Sequence, residues 1–229
     1  IYSEGGAAQT ILYRLVAAGH ALGATPIAVV GGFRFAELQA FAREHLDWAE
    51  GLELVENHQF ATTGTLYSLY LGLTALLARD GIDEIVFAEG DLLLDRASLA
   101  AVFASHQNVV TACPEPITAE RSVALYLALD GCVRYIYDPA HQQLVIPEPF
   151  RSIHNSGQVW KFRDLPRLRG LCERMGRERF DETNLGFIQE YFQTLPGDQL
   201  ELVRFRDWVN CNTLSDYRSA LELLAKEHP

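Results

Sequence analysis

Four short stretches hold side chains that could do chemistry. Glu89-Gly90-Asp91 directly follows the apolar run 84–88 (EIVFA). In open parallel sheets ligands bind beyond the carboxyl ends of the strands, and a carboxylate there can hold Mg²⁺, which prefers oxygen and keeps water and phosphate among its ligands. Asp91 is also readable as a turn residue capping the next segment. Residues 57–65 (NHQFATTGT) gather Thr62, Thr63, Gly64 and Thr65 ahead of an apolar helix. Hydroxyls and free N–H groups in that setting suit an anion or a base edge; an ordinary N-cap at Thr63 or Thr65 accounts for them too. Residues 208–216 (WVNCNTLSD) offer the amide oxygens of Asn210 and Asn212 to a hard cation, while Thr213 and Asp216 read as a capping box for the last helix. In residues 155–162 (NSGQVWKF), Trp160 beside Lys161 suits a cationic or phosphorylated ligand, or else marks a strand with Trp160 in the core.

Other chemistries find little support. The seven His residues show neither HxH nor HExxH spacing, and GxSxG and GxGxxG are absent. The four Cys (Cys113, Cys132, Cys172, Cys211) form no CxxC pair, so we expect reduced, buried thiols in a cytoplasmic protein rather than a zinc site or a disulfide framework. A net charge of -11 without a basic stripe argues against nucleic acid as a partner. The apolar runs are too short and too interrupted for a membrane span, and no signal peptide is visible. Met175 is the only Met in the 229 residues, which leads us to expect sequence upstream of Ile1.

The elements that must position these residues follow from periodicity. Helices are expected over 7–19, 35–46, 66–78, 96–105, 165–175, 185–193 and 214–225. Strands are expected over 26–30, 52–55, 84–88, 108–112, 159–162 and 200–205, with a clipped strand at 1–4. Asp130-Gly131 joins 123–129 to 132–137 as a hairpin. The alternation in the first half predicts an α/β fold: a mixed, mainly parallel central sheet with helices on both faces, followed by a smaller α+β substrate-binding portion.

Taken in order, the motifs resemble the nucleotidyltransferase superfamily of GT-A-like, Rossmann-like enzymes, closest to the phosphocholine and phosphonate cytidylyltransferases. Residues 26–34 (PIAVVGGFR) resemble the family's second strand and glycine turn. Residues 57–69 resemble its nucleotide-recognition stretch, Glu89-Gly90-Asp91 its first metal motif, and 208–217 its closing W-x-D-x-N-T-x-x-D-L motif, with Asn210 in place of the usual Asp. The resemblance spans nearly the whole chain. It implies one nucleotidyltransferase domain: a nucleotide-binding half (1–115), an acceptor-binding portion (116–207), and a closing metal motif and helix (208–229). It further implies transfer of a nucleoside monophosphate, CMP from CTP, to a small phosphorylated or phosphonate acceptor with release of pyrophosphate. The implied cofactor is Mg²⁺, held by Asp91 and Asn210. Gly5, Gly6, Gly32, Thr62, Thr63, Gly64, Thr65, Glu89 and Gly90 would meet the nucleotide, and Glu148, Ser156, Trp160, Lys161 and Glu182 the acceptor. The family's Gly-rich loop with its Arg and Lys has no counterpart here, and we expect it to be absent between Gly5 and Gly6. Fusion to, or association with, a phosphonate-making enzyme is a further implication. A sugar-1-phosphate nucleotidyltransferase, a glycosyltransferase on the same sheet and a non-catalytic nucleotide-binding domain are the alternatives.

Overall fold

The computed structural model describes residues 2–119, 122–136 and 142–225. Ile1 and Tyr137, at the ends of two expected strands, lie outside the described residues. Thr10 caps α1 (Ile11–Ala21) by accepting from Tyr13 N at 3.1 Å. The unit β1 (Ile27–Gly31), α2 (Phe35–His45), β2 (Leu52–Glu56) follows, with β1 and β2 parallel and Ile27 opposite Leu52. Next come α3 (Thr65–Leu77), β3 (Ile85–Ala88), β4 (Leu92–Leu94), α4 (Arg96–Ala104) and β5 (Asn108–Cys113). The second half holds β6 (Ala124–Ala128), β7 (Val133–Ile136), β8 (Phe150–Phe162), α5 (Leu165–Glu173), α6 (Asn184–Phe192), β9 (Leu200–Arg204), β10 (Trp208–Asn210) and α7 (Leu214–Ala225).

The main sheet is built around β8. On one edge β8 pairs antiparallel with β5; on the other it pairs first with β6 and then, past Gln158, with β3. β9 adds to β5 in parallel and β7 to β6 in antiparallel. The mixed α/β architecture agrees with the alternation of elements, but among the described residues parallel pairing is confined to β1–β2 and β5–β9. The strand expected at 159–162 is thirteen residues long, and its alternation sorts the side chains. Trp160 and Phe162 enter the core beneath α3, α5 and α6, while Val159 faces a second core with Leu99 and Val102 of α4. Helices therefore cover both faces. The expected clipped strand is corrected: residues 2–6 are not strand, and Ser3 Oγ donates to Gly6 O in a turn that Gly6 makes at φ 101°.

Between β1 and β3 lies a cleft of about 950 Å³. Among the described residues the edges that β1 and β3 turn toward it carry no ladder partner. α1, α3 and α4 line it with apolar side chains such as Leu15, Leu73 and Phe103, and its polar residues include Thr65, Ser68, Glu89 and Asn184.

Candidate functional site

Asp91 and Asn210 are placed by a two-stranded ribbon that neither stretch signalled alone. β4 and β10 pair antiparallel, with Asn210 opposite Leu92 and Trp208 opposite Leu94. Cys211 N donates to Asp91 O at 2.8 Å, so the turn after β3 and the end of β10 form one corner. Asp95 fastens the other end of the ribbon. Its fully buried carboxylate caps α4 through Ser98 N at 2.7 Å and accepts from Arg206 N at 3.1 Å and Asp207 N at 3.2 Å. Burial alone would raise its pKa, but the hydrogen bonds from Ser98, Asp207 and Arg206 outweigh burial and hold it below the ordinary Asp value.

Two oxygens at this corner stand out. Asp91 Oδ1 and Asn210 Oδ1 are both buried, and neither has a hydrogen-bond partner. Buried acceptors are nearly always satisfied, and a carboxylate oxygen and an amide oxygen left without partners are groups that a hard cation can use as ligands. Among the described residues no three His, Cys, Asp or Glu side chains group to hold a metal by themselves. Burial raises the Asp91 pKa against the pull of a backbone hydrogen bond. Glu89 is pushed up to about 7, by burial first and by the nearby Asp91 charge, while the hydrogen bond from Asn184 Nδ2 works the other way.

The 57–65 loop is bound to itself and to the chain around 180–184. Asn57 reaches Ser68 Oγ at 3.1 Å and Thr63 Oγ1 at 3.4 Å, and the hydroxyls of Thr62 and Thr63 donate to Gln59 O. Gly64 N is taken by Phe180 O at 2.7 Å, and a Cβ at Gly64 would collide with the Glu182 carbonyl. This corrects the expectation that Gly64 offers its N–H to a ligand; close backbone approach is why a Gly stands there. Thr65 Oγ1 accepts from Asn184 N at 3.0 Å, and Asn184 in turn holds Glu89, so Thr65, Asn184, Glu89 and Gly90 gather at the cleft. Asn184 is a member of this group that the sequence reading missed. Its one signal was a polar residue opening an apolar helix.

Three acceptor candidates are corrected. Ser156, Trp160 and Lys161 are 0% exposed. Trp160 stacks on Phe87 at 5.3 Å and donates Nε1 to Tyr135 OH at 2.7 Å. Lys161 Nζ is spent on Phe103 O and Ser105 O, both at 2.8 Å, and on Glu84 at 2.7 Å. Strand alternation drove Trp160 and Lys161 into opposite cores, and the Lys is tolerated because every donor has a partner. Glu148 is held by Tyr126 OH at 2.8 Å and by Arg134 at 3.0 Å. It precedes the start of β8, a strand's run of roughly 25 Å from Gln158, so the structure does not bring it to the corner. Glu182 is exposed, pairs with Arg179 at 3.2 Å, and sits on the segment that abuts Gly64. Gly32 packs beneath Phe60, and Gly5 lies against Gln9. The four thiols are free and half-buried, and no described helix is long and apolar enough to cross a membrane.

A mixed sheet between helical layers is an arrangement this chain shares with several solved structures. UDP-glucose pyrophosphorylase complexed with UDP-glucose superimposes with a TM-score of 0.66 at 10% identity, over 95% of this chain and 87% of that one. HddC from Yersinia pseudotuberculosis complexed with GMP-PN gives 0.61 at 14% identity, over 93% and 84%. The inositol-1-phosphate CTP transferase from T. maritima gives 0.61 at 12% identity, over 93% and 82%. Identities this low establish the fold alone. The chain belongs to the family described as a domain of unknown function (DUF6564), whose model matches residues 1–224. No curated protein matches it.

Proposed function

We propose that the chain is a Mg²⁺-dependent nucleotidyltransferase that moves a nucleoside monophosphate, CMP from CTP, onto a small phosphorylated or phosphonate acceptor and releases pyrophosphate. The observation that carries this reading is the pair of orphaned buried oxygens, Asp91 Oδ1 and Asn210 Oδ1, on adjoining strand ends of a nucleotidyltransferase fold. Asp91 and Asn210 would hold Mg²⁺ there, and its charge would be what supports an in-line displacement at phosphorus. The chain's own part is positioning. The β4–β10 ribbon holds the two oxygens, Asp95 keeps the ribbon closed, and Asn184 joins Glu89 to the start of α3 beside Thr65. The hydroxyls of Thr62 and Thr63 donate to Gln59 O and would meet a base or ribose through their oxygen lone pairs, Thr63 sharing its oxygen with Asn57 Nδ2. Glu182, exposed beside this loop, is the acceptor-binding candidate that remains, and an acidic side chain there would favour a cationic headgroup. Residues 1–115 would then form the nucleotide half, 116–207 the acceptor portion and 208–229 the closing motif, in a cytoplasmic enzyme.

A second reading has its own observation. The residues lining the cleft include Asp83, Glu84 and Glu89 and no Lys or Arg, which favours a non-catalytic nucleotide-binding domain over an enzyme that must hold a triphosphate. Pyrophosphate release decides, measured across the four NTPs with phosphocholine, aminoethylphosphonate, hydroxyethylphosphonate and sugar 1-phosphates. Turnover that Asp91→Ala abolishes supports the enzyme. Turnover with sugar phosphates alone shifts the acceptor class, and nucleotide binding without turnover establishes the second reading.

A further inference from the structure

Gln158 is the residue at which β8 changes partners. Residues up to Asn155 pair with β6, and residues from Val159 pair with β3. Opposite this point β5 shifts register between Val110 and Ala112, with the Thr111 hydroxyl donating to Val159 O at 2.7 Å and accepting from Val159 N at 3.1 Å. Gln158 itself takes φ 54°, the left-handed region that side-chain-bearing residues rarely adopt. If the kink needed only backbone freedom, a Gly would serve best at 158. The Gly stands one residue earlier, where a Cβ would sit 2.7 Å from Thr111 Oγ1 and 2.8 Å from the Phe205 ring. Position 158 thus carries a side chain despite its backbone.

That side chain reaches the metal corner. Asn210 Nδ2 donates to Gln158 Oε1 at 3.2 Å, and the Gln158 carbonyl accepts from Glu89 N at 3.3 Å. A single kinked residue therefore touches both stretches that form the corner. The contact matters because position 210 is Asn. A carboxylate offers a cation either oxygen, whereas an amide offers one oxygen and one NH₂ that cannot ligate. Something must accept from the NH₂ so that the oxygen is the atom left free, and Asn210 Oδ1 is indeed the partnerless atom.

We propose that Gln158 is a positioning residue for the metal corner, its Oε1 holding the amide of Asn210 so that Oδ1 is presented to the cation. This rests on the reading of Asp91 and Asn210 as ligands. Groups that orient a ligand change metal affinity by about tenfold or more when removed.

The test is Mn²⁺ binding to the full chain, followed by EPR of the free ion, alongside thermal unfolding, for wild type, Gln158→Met, Gln158→Gly and Gln158→Glu. Met keeps the length and the backbone strain but removes the acceptor; Gly removes the acceptor and relieves the strain; Glu keeps the acceptor. We expect Gln158→Met and Gln158→Gly to lose about tenfold in Mn²⁺ affinity, although Gln158→Gly melts no lower than Gln158→Met. Gln158→Glu binds at least as tightly as wild type. Wild-type affinity in both Gln158→Met and Gln158→Gly, or a Gln158→Glu as weak as Gln158→Met, overturns the positioning role and leaves the ligand assignment standing. A wild-type chain with no Mn²⁺ site overturns the ligand assignment and this inference together.

Discussion

Glu89→Gln should stabilise the protein, and only at neutral to alkaline pH. Glu89 is buried beside Asp91 and its pKa stands at about 7, against an ordinary value of 4.5. Between those two values the unfolded chain has released the proton while the folded chain retains it. Stability therefore falls as pH rises through this window, and the loss is complete above the folded pKa. A rise of that size corresponds to about 3 kcal/mol. Gln is neutral at every pH, and its Oε1 can still accept from Asn184, so the substitution removes the loss without emptying the site. Urea denaturation of both proteins, followed by far-UV circular dichroism at pH 4.5 and pH 8.5, measures it. At pH 8.5 the variant should be more stable by about 3 kcal/mol, a rise in Tm on the order of 10 °C for a chain of this size. At pH 4.5 the two should nearly coincide. An equal gain at both pH values would show that the substitution acts through packing, and no gain at pH 8.5 would show that Glu89 ionises without penalty; either outcome refutes the argument.

Asp91→Ala should abolish pyrophosphate release and Mn²⁺ binding while leaving the Tm at or above wild type, because burial disfavours the carboxylate more than its backbone hydrogen bond favours it and Oδ1 has no partner to lose; calorimetry with the turnover assay checks this. Asp95→Ala should cost about 3 kcal/mol at pH 7 in urea denaturation, since it removes an N-cap, leaves Asp207 N–H without its acceptor and leaves Arg206 N–H only Ser98 Oγ at 3.3 Å. The Asp95 pKa is lowered, so that contribution is in place above the ordinary Asp range and fades as the pH drops through the folded value. Lys161→Met should cost about 3 kcal/mol by leaving the buried carbonyls of Phe103 and Ser105 without their donor, while Glu84 keeps Arg163 at 3.3 Å. It should leave the KM for any acceptor unchanged, and a large KM effect with unchanged stability would return Lys161 to the acceptor pocket.

Much of the fold is local and was therefore legible. The 3.6-residue and two-residue periods fix helices and strands from neighbours alone, and Asp130-Gly131 turns β6 into β7, although the expected start of the first helix at 7 passed over the Thr10 cap that begins it at Ile11. Residue type also marked Glu89, Asp91 and Asn210, because carboxylates and amides beside apolar runs need a reason to be there. What lay beyond the sequence is who meets whom. Trp160 and Lys161 look alike as ligand contacts until the pleat of β8 and the cores on its two faces bury both. Gly64 looks like a phosphate cradle until the 180–182 segment, more than a hundred residues along, takes its N–H. Gln158 has no motif at all; its role arises only where β8 leaves β6 for β3 and its amide comes within reach of Asn210. A backbone's own neighbours determine its conformation, but the pairing of distant strands is set by which surfaces bury one another, and that balance is struck only in the folded chain.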